Sequence, residues 1–213
     1  MSASKAKDDE PENLFDAGFL QPKYLQVTSD LESLKVHWWI HADISDVYHY
    51  TPLIEFLLNV KSGDETHIHI ASHGGDLDTV LTIVNAIQSA IAAGAEVIGH
   101  AEGHVISAGT IILFACSKVN LNHKHSYFLF HDASMTSGST FYHELKNTVN
   151  FQSMVLENLY NDVFSSVFTE SEITDILNTG DKHFYTCDDV YQRVLSIDPD
   201  KLYKEGESNG ELD

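Results

Sequence analysis

The sequence predicts an α/β domain with a mainly parallel sheet, and three observations carry that prediction. A strand pattern followed by a helical pattern recurs three times, small residues stand at the handovers, and one later helical pattern is far longer than the others. Parallel strands need crossover connections, and helices between successive strands supply them.

The first unit begins with Leu34-Lys35-Val36-His37-Trp38-Trp39-Ile40, which is rich in strand formers, and continues with helical spacing of Leu53, Phe56, Leu57 and Val60 over residues 50–60. In the second, Thr66-His67-Ile68-His69-Ile70-Ala71 alternates polar and apolar residues and ends in Ser72-His73-Gly74-Gly75. Residues 77–92 then read as a helix, apolar at Leu77, Val80, Leu81, Val84 and Ile87. The third pairs a strand over 96–101 with a helix over 108–116 that Ser107 opens. Residues 118–120 and 127–130 read as short strands. Residues 141–168 form the long helical pattern, with Leu145, Val149, Met154, Leu156, Leu159 and Phe164 apolar on more than one side. Such a helix has use for a partner outside its own domain, so it is expected to be an oligomerisation element; the alternative is a helix folded back on its own core.

At 213 residues with 43% hydrophobic and 21% charged residues, the chain is long enough for one substantial core. A net charge of −20, from 32 acidic and 12 basic residues, argues against a nucleic-acid or anionic-membrane partner, and no basic cluster relieves it. Acidic ends (residues 1–30 and 198–213) are expected to be flexible segments flanking a domain over 31–197. Cys116 and Cys187 form no C-x-x-C pair, so neither a disulfide framework nor a zinc site is indicated, and a cytoplasmic setting fits. No apolar stretch is long enough to span a bilayer. His67, His69 and His73, or His123 and His125, invite a metal reading, but the spacing supplies no third ligand with its supporting carboxylate; no metal is expected.

The most informative run is Gly103-His104-Val105-Ile106-Ser107-Ala108-Gly109, followed by Phe128-Leu129-Phe130-His131. Serine is a poor nucleophile until an imidazole takes its proton, and small neighbours leave its hydroxyl approachable. A serine at a helix start also serves as an N-cap, and a histidine at a strand end also serves as a packed polar residue. Having both, with Gly74-Gly75 ahead of them, favours a nucleophile and its base. Asp132, adjacent to His131, is a poor orienter by strand alternation.

Taken in order, Ser72-His73-Gly74-Gly75, Gly103 to Gly109, Phe130-His131 and Asp181-Lys182-His183-Phe184-Tyr185-Thr186 resemble the Clp protease proteolytic subunit family, ClpP, of the ClpP/crotonase superfamily, over roughly residues 30 to 197. The family's pattern is Ser-Pro-Gly-Gly, Gly-x-Ala-Ala-Ser-Met-Gly, His-Gln and an Asp shortly before Phe. The chain departs from it at His73, Ala108 and Asp132, and in having both Lys182 and His183 between Asp181 and Phe184. The resemblance implies a ClpP/crotonase-like fold of repeated β-β-α and βαβ units with a protruding handle helix. It implies Ser107 as nucleophile, His131 as general base and then acid, and Asp181 as the carboxylate that orients the imidazole, with Asp175 as the alternative acid. Gly75 and Ala108 take the positions of the oxyanion N–H donors.

The expected activity is that of a serine-type endopeptidase acting through an acyl-enzyme on Ser107. The resemblance further implies homo-oligomeric rings of seven, stacked in pairs, with a separate AAA+ unfoldase as partner and peptide or unfolded protein as substrate. No cofactor is expected in the subunit, and no G-x-x-x-x-G-K-[ST] loop occurs, so ATP would belong to the partner. Two other classes stay open: a non-catalytic structural ring subunit, and a crotonase-type acyl-CoA enzyme.

Overall fold

A computed structural model describes residues 24–26, 33–132 and 142–204. The elements run β1 (Tyr24–Gln26), β2 (Lys35–Ile40), α1 (Thr51–Asn59), β3 (Glu65–Ser72), α2 (Leu77–Ala92), β4 (Glu96–Ile106), α3 (Ala108–Ala115), β5 (Lys118–Asn120), β6 (Tyr127–Phe130), α4 (Tyr142–Phe164), α5 (Glu170–Thr179), β7 (His183–Thr186) and α6 (Cys187–Ile197). The strands make one sheet in the order β1-β2-β3-β4-β6-β7, with β5 also on β4. Pairings from β2 through β6 are parallel; β1 on β2 and β7 on β6 are antiparallel. The predicted α/β class and mainly parallel sheet are the observed ones.

Alternation along the strands separates the two faces. Val36, Trp38 and Ile40 of β2 and Ile68 and Ile70 of β3 point into a core with Val80, Ile83, Val84 and Ile87 of α2 and with α3, which is buried along its whole length. Gly99 of β4 admits α3 closely, since a Cβ there would stand 2.8 Å from a Leu113 methyl. The same core continues under β6, where the Phe130 ring meets Phe164 edge-on at 5.2 Å and Phe168 at 4.8 Å. Such contacts add on the order of 0.5–1.5 kcal/mol beyond burial and hold the end of β6, the approach to His131.

Three differences from the sequence expectations have local causes. The third strand does not stop at 101 but runs to Ile106, because β6 pairs with its upper half while β5 pairs with its lower half, and its pairing with β3 resumes at Ser72–Val105 after a register shift. The long helical pattern ends at Phe164 and not at 168: Val167 and Phe168 turn into the core, and Thr169 with Glu172 forms a capping box that starts α5. The helix is therefore partly a cover for its own core, with Leu156, Leu159 and Tyr160 buried, while Val149, Phe151 and Met154 stay exposed. Finally, the ordered chain continues past 197. Residues Pro199–Lys201 form a 3₁₀ turn, Leu202 bridges to Val119, and the Tyr203 amide donates to the Val119 carbonyl. Residues 1–23, 27–30 and 205–213 of the expected flexible ends lie outside the described residues.

The other sheet face carries a ladder of histidines. His37 stacks on His67 with ring centres 4.4 Å apart, and His69 stacks on His100 at the same distance. Asn120 Nδ2–H donates to His100 Nδ1 (3.1 Å), so His100 donates from Nε2 to His67 Nδ1 (2.6 Å), and His67 donates from Nε2 to Glu65 (2.5 Å). A second path runs from His37 to His69 (2.9 Å) and from His69 to Glu102 (2.6 Å), which His41 also reaches. Burial, then the neighbouring His67 and His69 charges, hold His37 down at about 4. Burial first, and then the other imidazoles, holds His100 at about 3. The hydrogen bond from His67, with Lys35 beside it, holds Glu65 at about 2.

In the unfolded chain these imidazoles take up protons near pH 6.5, whereas folded His37 and His100 wait until about 4 and 3. Below 6.5 the unfolded state therefore binds more protons, and stability falls with pH down through about 3. With His37 discounted for solvent screening, the loss is about 3 kcal/mol between pH 7 and 4. Urea-unfolding midpoints measured against pH should show this slope, and a His37→Gln, His100→Gln double variant should flatten it.

Candidate active site

Ser107 stands at the join of β4 and α3, with φ 55° and ψ −122°, and among the described residues no other non-glycine residue has positive φ. Both sides of the turn are anchored. The Ser107 amide donates to the Leu129 carbonyl of β6 (2.9 Å), and its carbonyl accepts from the Thr110 amide (2.9 Å) and hydroxyl (2.6 Å). The side chain makes no capping bond to α3, so the N-cap reading does not account for the serine. A strained strand-to-helix turn that presents an uncommitted hydroxyl is the geometry of a nucleophile elbow.

The second turn lies against the first. A Cβ on Gly74, whose φ is 98°, would be 2.8 Å from the Ser107 Cβ and 2.9 Å from the Ile106 carbonyl. The next residues bridge to Ile44: the Ile44 amide donates to the Gly74 carbonyl (2.7 Å) and the Asp76 amide to the Ile44 carbonyl (2.8 Å). Because a trans peptide points its C=O and N–H in opposite directions, the bond from Ile44 to the Gly74 carbonyl turns the Gly75 N–H the other way. The Ala108 N–H, first in α3, has no partner within the helix, and the helix dipole adds positive character there.

Gly75, Ser107, Ala108 and His131 line one cleft of about 490 Å³, shared with Leu77, Ile111, Leu156 and Tyr160 and with the carboxylates of Asp76, Asp78 and Asp132. The structure thus brings together four of the five site residues expected from the sequence. His131, just beyond β6, is half-buried, and its Nδ1–H donates to the main-chain carbonyl of Asp132 (2.5 Å). Tyr160 donates its hydroxyl to the His131 carbonyl at 2.8 Å. Burial pushes the Tyr160 phenol well above its ordinary range, with the Asp132 charge adding to the shift, so it remains a donor.

Asp181, the carboxylate implied by the resemblance, does not join this group. It is exposed, two residues ahead of the first residue of β7 that pairs with β6, and its amide donates to Thr179 Oγ1 (3.2 Å). The intervening Lys182 and His183 place it there: His183 pairs with Phe130, so the strand pairing ends before Asp181 is reached. Asp175 is exposed on α5. Tyr160 had no signal of its own in the sequence, since it sits within a helical run of apolar residues.

Other chemistries find less. Among the described residues no three His, Cys, Asp or Glu side chains are grouped to hold a metal ion. Cys116 is buried and its thiol is pushed up to about 12 by that burial, which leaves it protonated and unreactive. No helix among the described residues is long and apolar enough to cross a membrane. A family model described as Clp protease matches residues 41–187, a span that contains β3 through β7 and every cleft residue named above. No curated protein matches the chain.

Proposed function

The chain belongs to the Clp protease family, and from that premise we propose that it is a serine endopeptidase that cleaves peptide bonds through an acyl-enzyme on Ser107. The observation that carries the proposal is the strained Ser107 turn, which opens with a free hydroxyl into the cleft that also holds His131. Ser107 Oγ attacks the scissile carbonyl carbon while His131 Nε2 takes its proton. The oxyanion so formed is held by the Gly75 and Ala108 N–H groups, and collapse releases the amine, protonated by His131. Water, activated by the same imidazole, then attacks the acyl carbonyl and frees Ser107. Family membership implies an oligomeric assembly, and we place the site inside a ring chamber of the cytoplasm, supplied with unfolded chains by an AAA+ partner that uses the ATP. The exposed Val149, Phe151 and Met154 of α4 are the apolar groups such an assembly would cover.

The test is labelling with a fluorophosphonate, with the adduct located by mass spectrometry. The wild type should carry the probe on Ser107, and His131→Ala should label at least about 100-fold more slowly. Absence of any adduct on the assembled wild type would mark the chain as a structural ring subunit.

A further inference from the structure

We infer that the imidazole of this site is oriented by a main-chain carbonyl, that of Asp132, and that Tyr160 is the positioning residue that holds the bearing segment in place. The inference rests on the peptidase reading of Ser107 and His131. A carbonyl oxygen only accepts, so the 2.5 Å contact from His131 Nδ1 puts the proton on Nδ1 and leaves Nε2 as the basic nitrogen, the tautomer a serine hydrolase needs. This is the task a triad carboxylate performs through the same nitrogen. Here the contact is between neighbours in the chain, so it lasts only while the two peptide planes after His131 keep their orientation.

Tyr160 fixes the first of those planes. Its hydroxyl donates to the His131 carbonyl at 2.8 Å, and its ring is 3% exposed, set edge-on to Phe164 with centres 4.9 Å apart. A residue so embedded in α4 couples the helix to the main chain of His131 at the end of β6. Asp181, by contrast, is exposed, and no side-chain hydrogen bond of its own links it to the described residues around His131.

The experiment follows fluorophosphonate acylation of Ser107 against pH and probe concentration in the full-length assembled protein, for the wild type, Asp181→Asn and Tyr160→Phe, with thermal midpoints in parallel. Asp181→Asn is expected to label within about twofold of the wild type, with the same pH midpoint. Tyr160→Phe is expected to label about 5–20-fold more slowly at saturating probe with an unchanged half-saturating concentration, the mark of lost positioning rather than lost binding. A loss of about 100-fold or more in Asp181→Asn, or a downward move of its pH midpoint, would make Asp181 the orienter and overturn the inference. A Tyr160→Phe protein that melts earlier but labels at the wild-type rate would overturn the positioning role. A wild type that takes no label at Ser107 would overturn the peptidase reading itself, and this inference with it.

Discussion

Ser107→Ala is expected to lower peptide cleavage by about 10⁴-fold or more, and Ser107→Gly to do the same while making the protein more stable. The loss of rate follows from removal of the only atom that forms the acyl bond; what remains over the uncatalysed reaction comes from the oxyanion donors and from substrate binding. The gain in stability follows from the backbone. A φ of 55° with ψ −122° is open to glycine and strained for any residue with a Cβ. Releasing strain on the order of 1–3 kcal/mol, less glycine's own entropy cost of roughly 0.5–1 kcal/mol, leaves a net gain of about 1 kcal/mol. Calorimetry should register this as a rise of about 2–4 °C in melting temperature. If Ser107 were only a helix cap, Ser107→Gly would instead lose a few tenths of a kcal/mol and leave cleavage untouched, so the two roles differ in the sign of one effect and the size of the other.

Gly75→Ala should be nearly as damaging to activity, for a different reason. A Cβ at Gly75 would lie 1.9 Å from the Ile44 carbonyl oxygen and 2.7 Å from its carbon, and both are backbone atoms that cannot swing aside. Residue 75 must then leave its bridge to Ile44, and the bonds from the Ile44 amide to Gly74 and from the Asp76 amide to Ile44 are broken or stretched. The expected cost is about 2–4 kcal/mol in urea unfolding. The same movement takes the Gly75 N–H off its aim, and a lost oxyanion donor costs on the order of 100- to 1000-fold in rate. The decisive comparison is the rate per folded molecule: a fall in rate no larger than the unfolded fraction explains would remove Gly75 from the oxyanion hole.

How legible these features were depended on whether they are local. The bounds of α2, β5 and β6 follow from patterns carried by the residues themselves, and so does the placement of Gly74, Gly75 and Ser107 where strands hand over to helices. The full extent of β4 was not legible, because its upper half is held by β6, whose pairing partner is set by register and not by local preference. The end of α4 was missed for a related reason. Val167 and Phe168 suit a continuing helix equally well, and only burial against Phe130 decides that the chain turns there. The histidines of the ladder were visible as alternating residues, but nothing in the sequence says that His37, His67, His69 and His100 share one surface.

By itself the sequence determined the α/β class, the repeated strand-to-helix units and the residue types of the proposed nucleophile, base and oxyanion donors, because these rest on periodicity and on motifs a few residues long. Only the tertiary structure decided which of them meet. It strained Ser107 between β4, β6 and α3, turned the Gly75 N–H away from Ile44, and gave His131 the Asp132 carbonyl as its partner while Asp181 stayed exposed. The physical reason is that strand register and helix packing set distances between residues far apart in the chain, and a shift of one position, such as that between Asp181 and Phe184, leaves a carboxylate exposed beyond the end of the strand pairing without altering the composition around it.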